Sequence, residues 1–236
     1  MGRMGMGIPL YVHPGTDASP WAALAVSASV VDWVVLNQAS GPGDPEDEAL
    51  GDAARGVRAA GARVLGYVDL DYGTRDDFFN FQDADTWIAR GFDSVFLDRV
   101  PTAANLVQKT ANTILGLRSR GIRYVVANPG TVPLDERYAQ IADQLITFEG
   151  SPAAYQAATF PAWMAKYPPE RFCHLVGEVK TFADAARIVA LARTRGAGTV
   201  FVHTSPDGPD AKWTGIPSYW PLLTRLFDSE HPEAAS

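Results

Sequence analysis

The feature that most constrains the fold of this chain is a regular alternation of short apolar strands with helices. Eight strands are predicted, at residues 8–12, 31–36, 63–68, 94–97, 123–127, 144–148, 172–176 and 199–202, and a helix follows each of them. The strands are apolar on both faces and rich in valine, which is typical of a buried parallel sheet. We therefore predict an α/β fold made of a single-domain (β/α)8 TIM barrel.

The barrel is expected to cover residues 8–228, between a flexible N-terminus at 1–7 and a disordered polar tail at 229–236. An open doubly wound sheet is the alternative, but no Gly-x-Gly-x-x-Gly turn follows the first strand. The first strand begins so early that no signal peptide fits before it. This predicts a cytoplasmic protein or a mature form whose leader has been removed.

Composition and charge restrict the possible partners. The net charge of -7 and the pI near 5.0 argue against nucleic acid, because phosphate binding requires a basic surface. No apolar run approaches the roughly 18 residues that cross a bilayer, so no membrane partner is predicted. The single cysteine, Cys173, excludes an intrachain disulfide and a multi-cysteine metal site. We expect a monomer.

Polar residues end almost every predicted strand. In a (β/α)8 barrel the C-terminal ends of the strands meet at one face and carry the active site. The residues at these ends are His13, Asn37, Asp69, Asp71, Asp98, Asn128, Glu149, Glu178 and His203. An alternative role as turn or cap residues is equally good for Asn37 and Asn128, and it is preferred for Glu178.

Asp98 and Glu149 are the strongest catalytic candidates. Asp98 ends the strand Val-Phe-Leu-Asp, and Glu149 directly follows Leu-Ile-Thr-Phe. Their strands are next-but-one neighbours in the barrel, so both carboxyl groups can reach one bound bond. Such a pair suits glycosidic cleavage, in which one carboxylate attacks or stabilises the cation and the other protonates the leaving oxygen. A structural ion pair between Asp98 and Arg99 is the alternative.

The remaining candidates suit a sugar-binding cleft. Aromatic side chains near strand ends or in the later loops can stack on pyranose rings or simply pack: Tyr67, Tyr72, Trp163, Tyr167, Trp213 and Trp220. Polar side chains at the strand ends can bind hydroxyl or amino groups, and the predicted binding set is His13, Asn37, Tyr67, Asp69, Asp71, Asn128, His203 and Trp213. A metal held by His13, Asp69 and His203 is the competing hypothesis, but no His-x-His or His-Glu-x-x-His spacing supports it. We predict no metal and no cofactor.

Six segments, taken in order, resemble the spherulin-4-like family of glycoside hydrolases. They are 9–15 (Pro-Leu-Tyr-Val-His-Pro-Gly), 34–37 (Val-Val-Leu-Asn) with 41–43 (Gly-Pro-Gly), 64–69 (Val-Leu-Gly-Tyr-Val-Asp), 91–98 (Gly-Phe-Asp-Ser-Val-Phe-Leu-Asp), 126–130 (Val-Ala-Asn-Pro-Gly) and 147–150 (Thr-Phe-Glu-Gly). The resemblance implies a (β/α)8 barrel and endo-acting hydrolysis of α-1,4-linked N-acetylgalactosamine or galactosamine polymers, the exopolysaccharides of microbial biofilms. It also implies a secreted enzyme.

The resemblance further implies that Asp98 and Glu149 are the catalytic pair, with Asn128 beside them. We favour Asp98 as nucleophile or stabiliser and Glu149 as general acid/base, and the reverse order stays open. If the N-acetyl group of the substrate attacks instead, Asp98 orients it. A non-catalytic carbohydrate-binding barrel and a different barrel hydrolase or lyase are the alternative functions.

Overall fold

A computed structural model describes residues 3–44, 46–205 and 213–228 of the chain. Eight strands form one parallel sheet in chain order: β1 Met6–Leu10, β2 Val31–Leu36, β3 Arg63–Asp69, β4 Ser94–Asp98, β5 Tyr124–Ala127, β6 Gln144–Gly150, β7 Phe172–Val176 and β8 Thr199–Val202. Gly5 joins the two edges of the sheet, because its N–H donates to Gly198 and its carbonyl accepts from Val200, each at 3.0 Å. The predicted (β/α)8 barrel is confirmed.

Helices alternate with the strands and pack outside them. They are α1 Ser19–Val26, α2 Glu48–Ala59, α3 Asp77–Ala89, α4 Val107–Ser119, α5 Tyr138–Ile141, α6 Pro152–Ala157, α7 Phe182–Thr194 and α8 Trp220–Asp228. Several begin at a side-chain cap, such as Thr181, whose hydroxyl accepts the Asp184 N–H at 3.1 Å before α7. Among the described residues, none of these helices is both long enough and apolar enough to cross a membrane.

The first strand starts two residues earlier than predicted. Met4 and Met6 are buried, so residues 4–7 belong to the barrel wall although the sequence predicts a flexible segment there. Glycine explains the difference: a Cβ on Gly7 would lie 2.2 Å from the Trp33 ring. Gly7 leaves room for this tryptophan, and Gly5 leaves room for the Asp32 carboxylate. Residues 1–2 and 229–236 lie outside the described residues.

Large side chains fill the barrel below its C-terminal face. The buried Trp33 indole donates to the Gln144 amide oxygen at 2.7 Å across the interior. The Phe96 ring lies 5.9 Å from that of Trp33 and 6.3 Å from that of Tyr67. Because these rings occupy the interior, space for a ligand remains at the ends where the strands deliver their polar residues.

Candidate active site

Three side chains from three consecutive strands meet at the C-terminal face. The Nδ2 group of Asn128 donates to Asp98 Oδ1 and to Glu149 Oε2, each at 2.9 Å. The other end of the Asn128 amide accepts the Gly130 N–H at 2.9 Å, which fixes the amide so that its nitrogen faces both carboxylates. The predicted convergence of Asp98, Asn128 and Glu149 is therefore found in the structure.

The Asp98 carboxylate is held by donors on both oxygens. The Tyr67 hydroxyl donates to Oδ2 at 2.7 Å, while Asn128 occupies Oδ1. Burial raises the pKa of Asp98, the negative charge of Glu149 adds to that rise, and the bonds from Tyr67 and Asn128 oppose it. Burial and the charge of Asp98 also raise the pKa of Tyr67, so this phenol stays protonated and donates. The site thus contains a partly buried carboxylate that two side chains hold in place.

A bulge in β6 turns Glu149 toward Asp98. Gln144 points into the barrel, where it contacts Trp33. Side chains alternate along a strand, so residue 149, five positions later, should face outward. The register with β7 shifts between Ile146 and Phe148, and this extra residue restores the inward direction for Glu149. The position of the second carboxylate therefore depends on the bulge.

Buried polar contacts hold the bulge from outside the barrel. The Thr147 hydroxyl and His174 Nε2 lie 3.0 Å apart, and His174 Nδ1 lies 2.7 Å from the Tyr155 hydroxyl. Burial lowers the pKa of His174 to about 3, helped by the nearby charge of Arg195. The imidazole is therefore neutral at ordinary pH and serves as a fixed hydrogen-bonding group.

Arg99 turns away from Asp98. Its guanidinium binds Asp69, with Nε 2.8 Å from Oδ1, and also lies 2.8 Å from Asp71 Oδ1. Arg99 has a positive φ of 50°, and its backbone N–H donates to the Asp98 carboxylate. The alternative of an Asp98–Arg99 ion pair is wrong. Asp69 and Asp71 were predicted to bind sugar, but in this structure both carboxylates are engaged by Arg99.

The loop after β3 has an unusual backbone. Asp71, Tyr72 and Gly73 have φ values of 44°, 54° and 83°, which form a left-handed turn. Each non-glycine residue in this conformation costs roughly 1–2 kcal/mol, and consecutive ones are rare. The Thr74 hydroxyl braces the turn, 2.8 Å from the Asp71 carbonyl and 2.5 Å from its carboxylate.

His13 is held in the loop that follows β1. Its Nε2 lies 2.6 Å from Asp47 Oδ2, and its Nδ1 accepts the Gly15 N–H at 3.0 Å. These contacts fix the tautomer with the proton on Nε2. Asp47 also caps α2 by accepting the Leu50 N–H, a bond that lowers the pKa of Asp47. The structure thus joins His13 to the second loop and leaves it apart from Asp69, which binds Arg99.

His203 and Trp213 pack together after β8. Their rings lie 4.4 Å apart and both side chains are buried. The Trp213 carbonyl accepts the Tyr11 N–H at 2.8 Å, which ties this pair to the end of β1. Within the described ranges, no group of three His, Cys, Asp or Glu side chains has the arrangement of a metal site.

Two of the proposed stacking residues lie at the wrong end of the barrel. The rings of Trp163 and Tyr167 pack 5.9 Å and 6.1 Å from that of Phe172, which begins β7. Trp220 is buried in α8, and its indole N–H donates to the Ser27 hydroxyl at 3.2 Å. These three rings are packing residues. Proximity in sequence to a strand end could not distinguish the two ends of the barrel.

Tyr11 is a site residue that the sequence analysis missed. Burial raises its pKa, and the charges of Asp98 and Glu149 act in the same direction, so its phenol faces the catalytic candidates. Its ring meets that of Tyr67 edge-on at 5.9 Å. The predicted β1 ran to residue 12, so Tyr11 was placed inside a strand and was not considered as a strand-end residue. The observed strand ends at Leu10, which makes Tyr11 the first residue of the loop.

Comparison with known proteins identifies relatives of both sequence and fold. The model of spherulation-specific family 4 matches residues 6–226. Spherulin-4 of Physarum polycephalum is 30% identical over 148 residues, which is 60% of this chain and 43% of that protein. The match therefore spans less than half the length of this relative.

Solved structures share the barrel. Sph3 of Aspergillus clavatus, solved in complex with GalNAc, has a TM-score of 0.79 at 24% identity, with coverage of 95% of this chain and 97% of that chain. The catalytic domain of a hyperthermophilic chitinase from Pyrococcus furiosus has a TM-score of 0.58 at 12% identity, with coverage of 97% and 95%. At these identities the likeness concerns the fold.

Proposed function

The chain belongs to spherulation-specific family 4, and from this premise we propose that it is an endo-acting glycoside hydrolase of α-1,4-linked N-acetylgalactosamine or galactosamine polymers. One observation carries the proposal: the Asn128 amide bridges the carboxylates of Asp98 and Glu149 at 2.9 Å each. Two carboxylates at the strand ends of a barrel are the groups that glycosidic cleavage requires.

The separation of the carboxylates favours retention of configuration. Because both contact the same nitrogen at 2.9 Å, the contacting oxygens of Asp98 and Glu149 lie less than about 6 Å apart. Retaining glycosidases place their carboxyl groups about 5–5.5 Å apart, whereas inverting ones need about 6.5–9.5 Å to admit a water. We infer a two-step reaction through a covalent glycosyl intermediate.

Asp98 is assigned as the nucleophile. Fixed donors on both oxygens, Tyr67 and Asn128, hold the carboxylate in one orientation. The acetamido group of an α-linked sugar reaches the anomeric carbon only from the face that bears the leaving oxygen. It therefore cannot displace that oxygen, and a protein carboxylate has to attack from the other face.

Glu149 is assigned as the general acid and then the general base. It first protonates the leaving oxygen, and it then takes a proton from the water that cleaves the intermediate. Tyr11, on whose phenol the charges of both carboxylates act, and Asn37, the residue after β2, are assigned to the sugar hydroxyl or amide groups. In the proposed scheme Asp69 and Asp71 act by holding Arg99.

The substrate class rests on family membership together with the GalNAc bound by Sph3 of Aspergillus clavatus. The net charge of -7 suits a partly deacetylated, cationic polymer. Biofilm exopolysaccharides lie outside cells, so the proposed site of action is extracellular. The reaction needs no cofactor.

The assignment is tested with Asp98→Asn and Glu149→Gln. Both variants are expected to lose release of reducing ends from α-1,4-linked galactosamine polymer by about 10²–10⁴-fold or more. An aryl α-N-acetylgalactosaminide has a leaving group that needs no protonation. Added azide can replace the water that Glu149 activates. These two reagents together should therefore restore turnover to Glu149→Gln and leave Asp98→Asn inactive.

A matched control is Asp32→Asn, which removes a half-buried carboxylate at the opposite end of β2 and should leave the rate unchanged. A glycosyl azide of retained α configuration from Asp98→Asn, in place of Glu149→Gln, would reverse the two roles; a β-azide from Asp98→Asn would keep them, because azide would then replace the missing nucleophile. Wild-type rates in both variants would refute the catalytic proposal. Saturable polymer binding by the unsubstituted chain, with no product, would instead indicate a carbohydrate-binding barrel.

A further inference from the structure

The left-handed turn after β3 holds an aromatic ring in solvent. Tyr72, at φ 54°, is 58% exposed. Phe78 and Phe79 are also exposed, but they lie on α3 with ordinary helical backbone. Backbone strain of this kind persists only where the surroundings enforce it, and it is concentrated at ligand-binding sites. A surface tyrosine that merely filled a loop would not require it.

The turn is attached directly to the catalytic strand end. The Tyr72 N–H donates to the Arg99 carbonyl at 2.7 Å, and the Leu70 N–H donates to the Asp98 carbonyl at 3.0 Å. Tyr72 is therefore bonded to the residue that follows the proposed nucleophile. Any movement of this loop relative to Asp98 would break both bonds.

Arg99 fixes the ring as well as the backbone. Its guanidinium carbon lies 5.6 Å from the centre of the Tyr72 ring, and Asp69 and Asp71 hold the guanidinium in place. The charge of Arg99 also acts on the Tyr67 hydroxyl, which donates to Asp98. Arg99 thus links the exposed Tyr72 ring to the side of the candidate site that Tyr67 and Asp98 form.

We propose that Tyr72 is a stacking platform for a galacto-configured pyranose next to the cleaved bond. In such a sugar the axial O4 leaves the C3, C4 and C5 hydrogens together on one face, which forms an apolar patch. An aromatic face binds this patch by apolar contact and by the attraction between its π-electrons and the C–H groups. The inference deepens the proposed function, because it assigns a second sugar-binding position to the same site.

The test measures binding separately from cleavage. The chain carrying Glu149→Gln is titrated calorimetrically with α-1,4-linked galactosamine and N-acetylgalactosamine oligosaccharides of increasing length. The same background receives Tyr72→Ala, Tyr72→Phe or, as a matched surface control on α4, Leu115→Ala; Leu115 is 67% exposed. In parallel, kcat/KM is measured for the active chain with and without each Tyr72 substitution.

Tyr72→Ala should weaken binding of the longer oligosaccharides about tenfold, which corresponds to about 1.4 kcal/mol, and leave binding of the monosaccharide unchanged. Tyr72→Phe, which keeps the ring, and Leu115→Ala should bind like the parent. If Tyr72→Ala bound oligosaccharides of every length with the affinity of the parent, the inference would be overturned. An equal loss for monosaccharide and oligosaccharide would also overturn it, because it would indicate a general disturbance of the fold.

The two proposals fail in different ways. If the active chain binds the oligosaccharides but releases no product, the glycosidase proposal fails, and the Tyr72 titrations still decide the platform. If the chain cleaves the polymer and Tyr72→Ala cleaves and binds every length normally, only the platform is refuted. If the unsubstituted chain binds no amino-sugar oligosaccharide, both are refuted.

Discussion

Replacing Asp98 by asparagine is expected to abolish cleavage and, at neutral pH, to stabilise the fold. The change removes a charge that is poorly solvated, because burial is the main cause of the raised pKa of Asp98. The Asn128 amide can still donate to Oδ1, while the bond to Tyr67 is reversed: the new amide nitrogen donates to the Tyr67 oxygen, whose own proton must turn away. The proposed nucleophile is thus a group that the fold holds at a cost in stability.

The size of the stabilisation by Asp98→Asn follows from the difference between the pKa of Asp98 in the native and in the unfolded protein. A carboxyl group in the unfolded chain titrates near pH 3.9, and in the native protein Asp98 titrates above that value. As the pH rises between these two values, the unfolded state loses its proton first, so the wild type loses stability. Each unit of pKa difference is worth about 1.4 kcal/mol, or about 3–5 °C in Tm for a chain of this size.

The assay compares urea unfolding of the wild type and Asp98→Asn from about pH 4 to pH 7. The free-energy difference should be near zero at the acid end, grow as the pH rises and then level off. Asp32→Asn is the control: burial also raises the pKa of Asp32, so stability should change in the same direction while activity is kept. A pH-independent difference, or an Asp98→Asn variant that is less stable at pH 7, would refute the reasoning.

Three further outcomes concern the surroundings of the site. Thr147→Val should leave the buried His174 Nε2 without its partner, which costs about 1–3 kcal/mol of unfolding free energy and is measured by the urea midpoint. The same substitution should loosen the bulge that directs Glu149 and lower kcat by up to about 100-fold, which is checked by measuring kcat and KM separately. Since His174 has a native pKa of about 3 against 6.5 in its unperturbed form, the unfolded state takes up a proton first as the pH falls below about 6.5, so acid titration of the wild type should show a loss of stability there. Gly177→Ala should cost about 1–3 kcal/mol, because the new Cβ would lie 2.9 Å from the packed His203 ring; a Tm within 1 °C of wild type, about 0.3 kcal/mol, would contradict this.

Most of the barrel could be predicted because each strand is marked locally. The runs of Val, Leu and Ile are bounded by Gly, Pro or a polar residue, and these boundaries fix the eight units without knowledge of distant contacts. Both ends of β1 are exceptions, and its start is the instructive one. There the glycines resemble a flexible segment, and only side chains from the next strand explain them: Trp33, 26 residues away from Gly7, and Asp32 beside Gly5.

The hydrogen-bond and ion-pair partners of the polar strand-end residues could not be predicted from local sequence. Position at a strand end places Asp69 and Asp98 equally well in the pocket, because their backbones lie side by side in register. Their different roles depend on Arg99, which turns toward Asp69 through a positive φ that an arginine rarely adopts. No local pattern predicts this conformation. The sequence therefore identified the groups at the face but not which of them are already paired.

Glu149 shows how packing and catalytic geometry are made compatible in one strand. The inward side chains of β6 must meet the opposite wall, as Gln144 does with Trp33, and strict alternation would then turn Glu149 out of the barrel. The register shift before Phe148 separates the two requirements, since it leaves the packed half of β6 unchanged and reorients only its end. Because Thr147 lies at this shift and bonds outside the barrel, changes at this residue should alter the direction of Glu149, the proposed catalytic acid, before they alter the core.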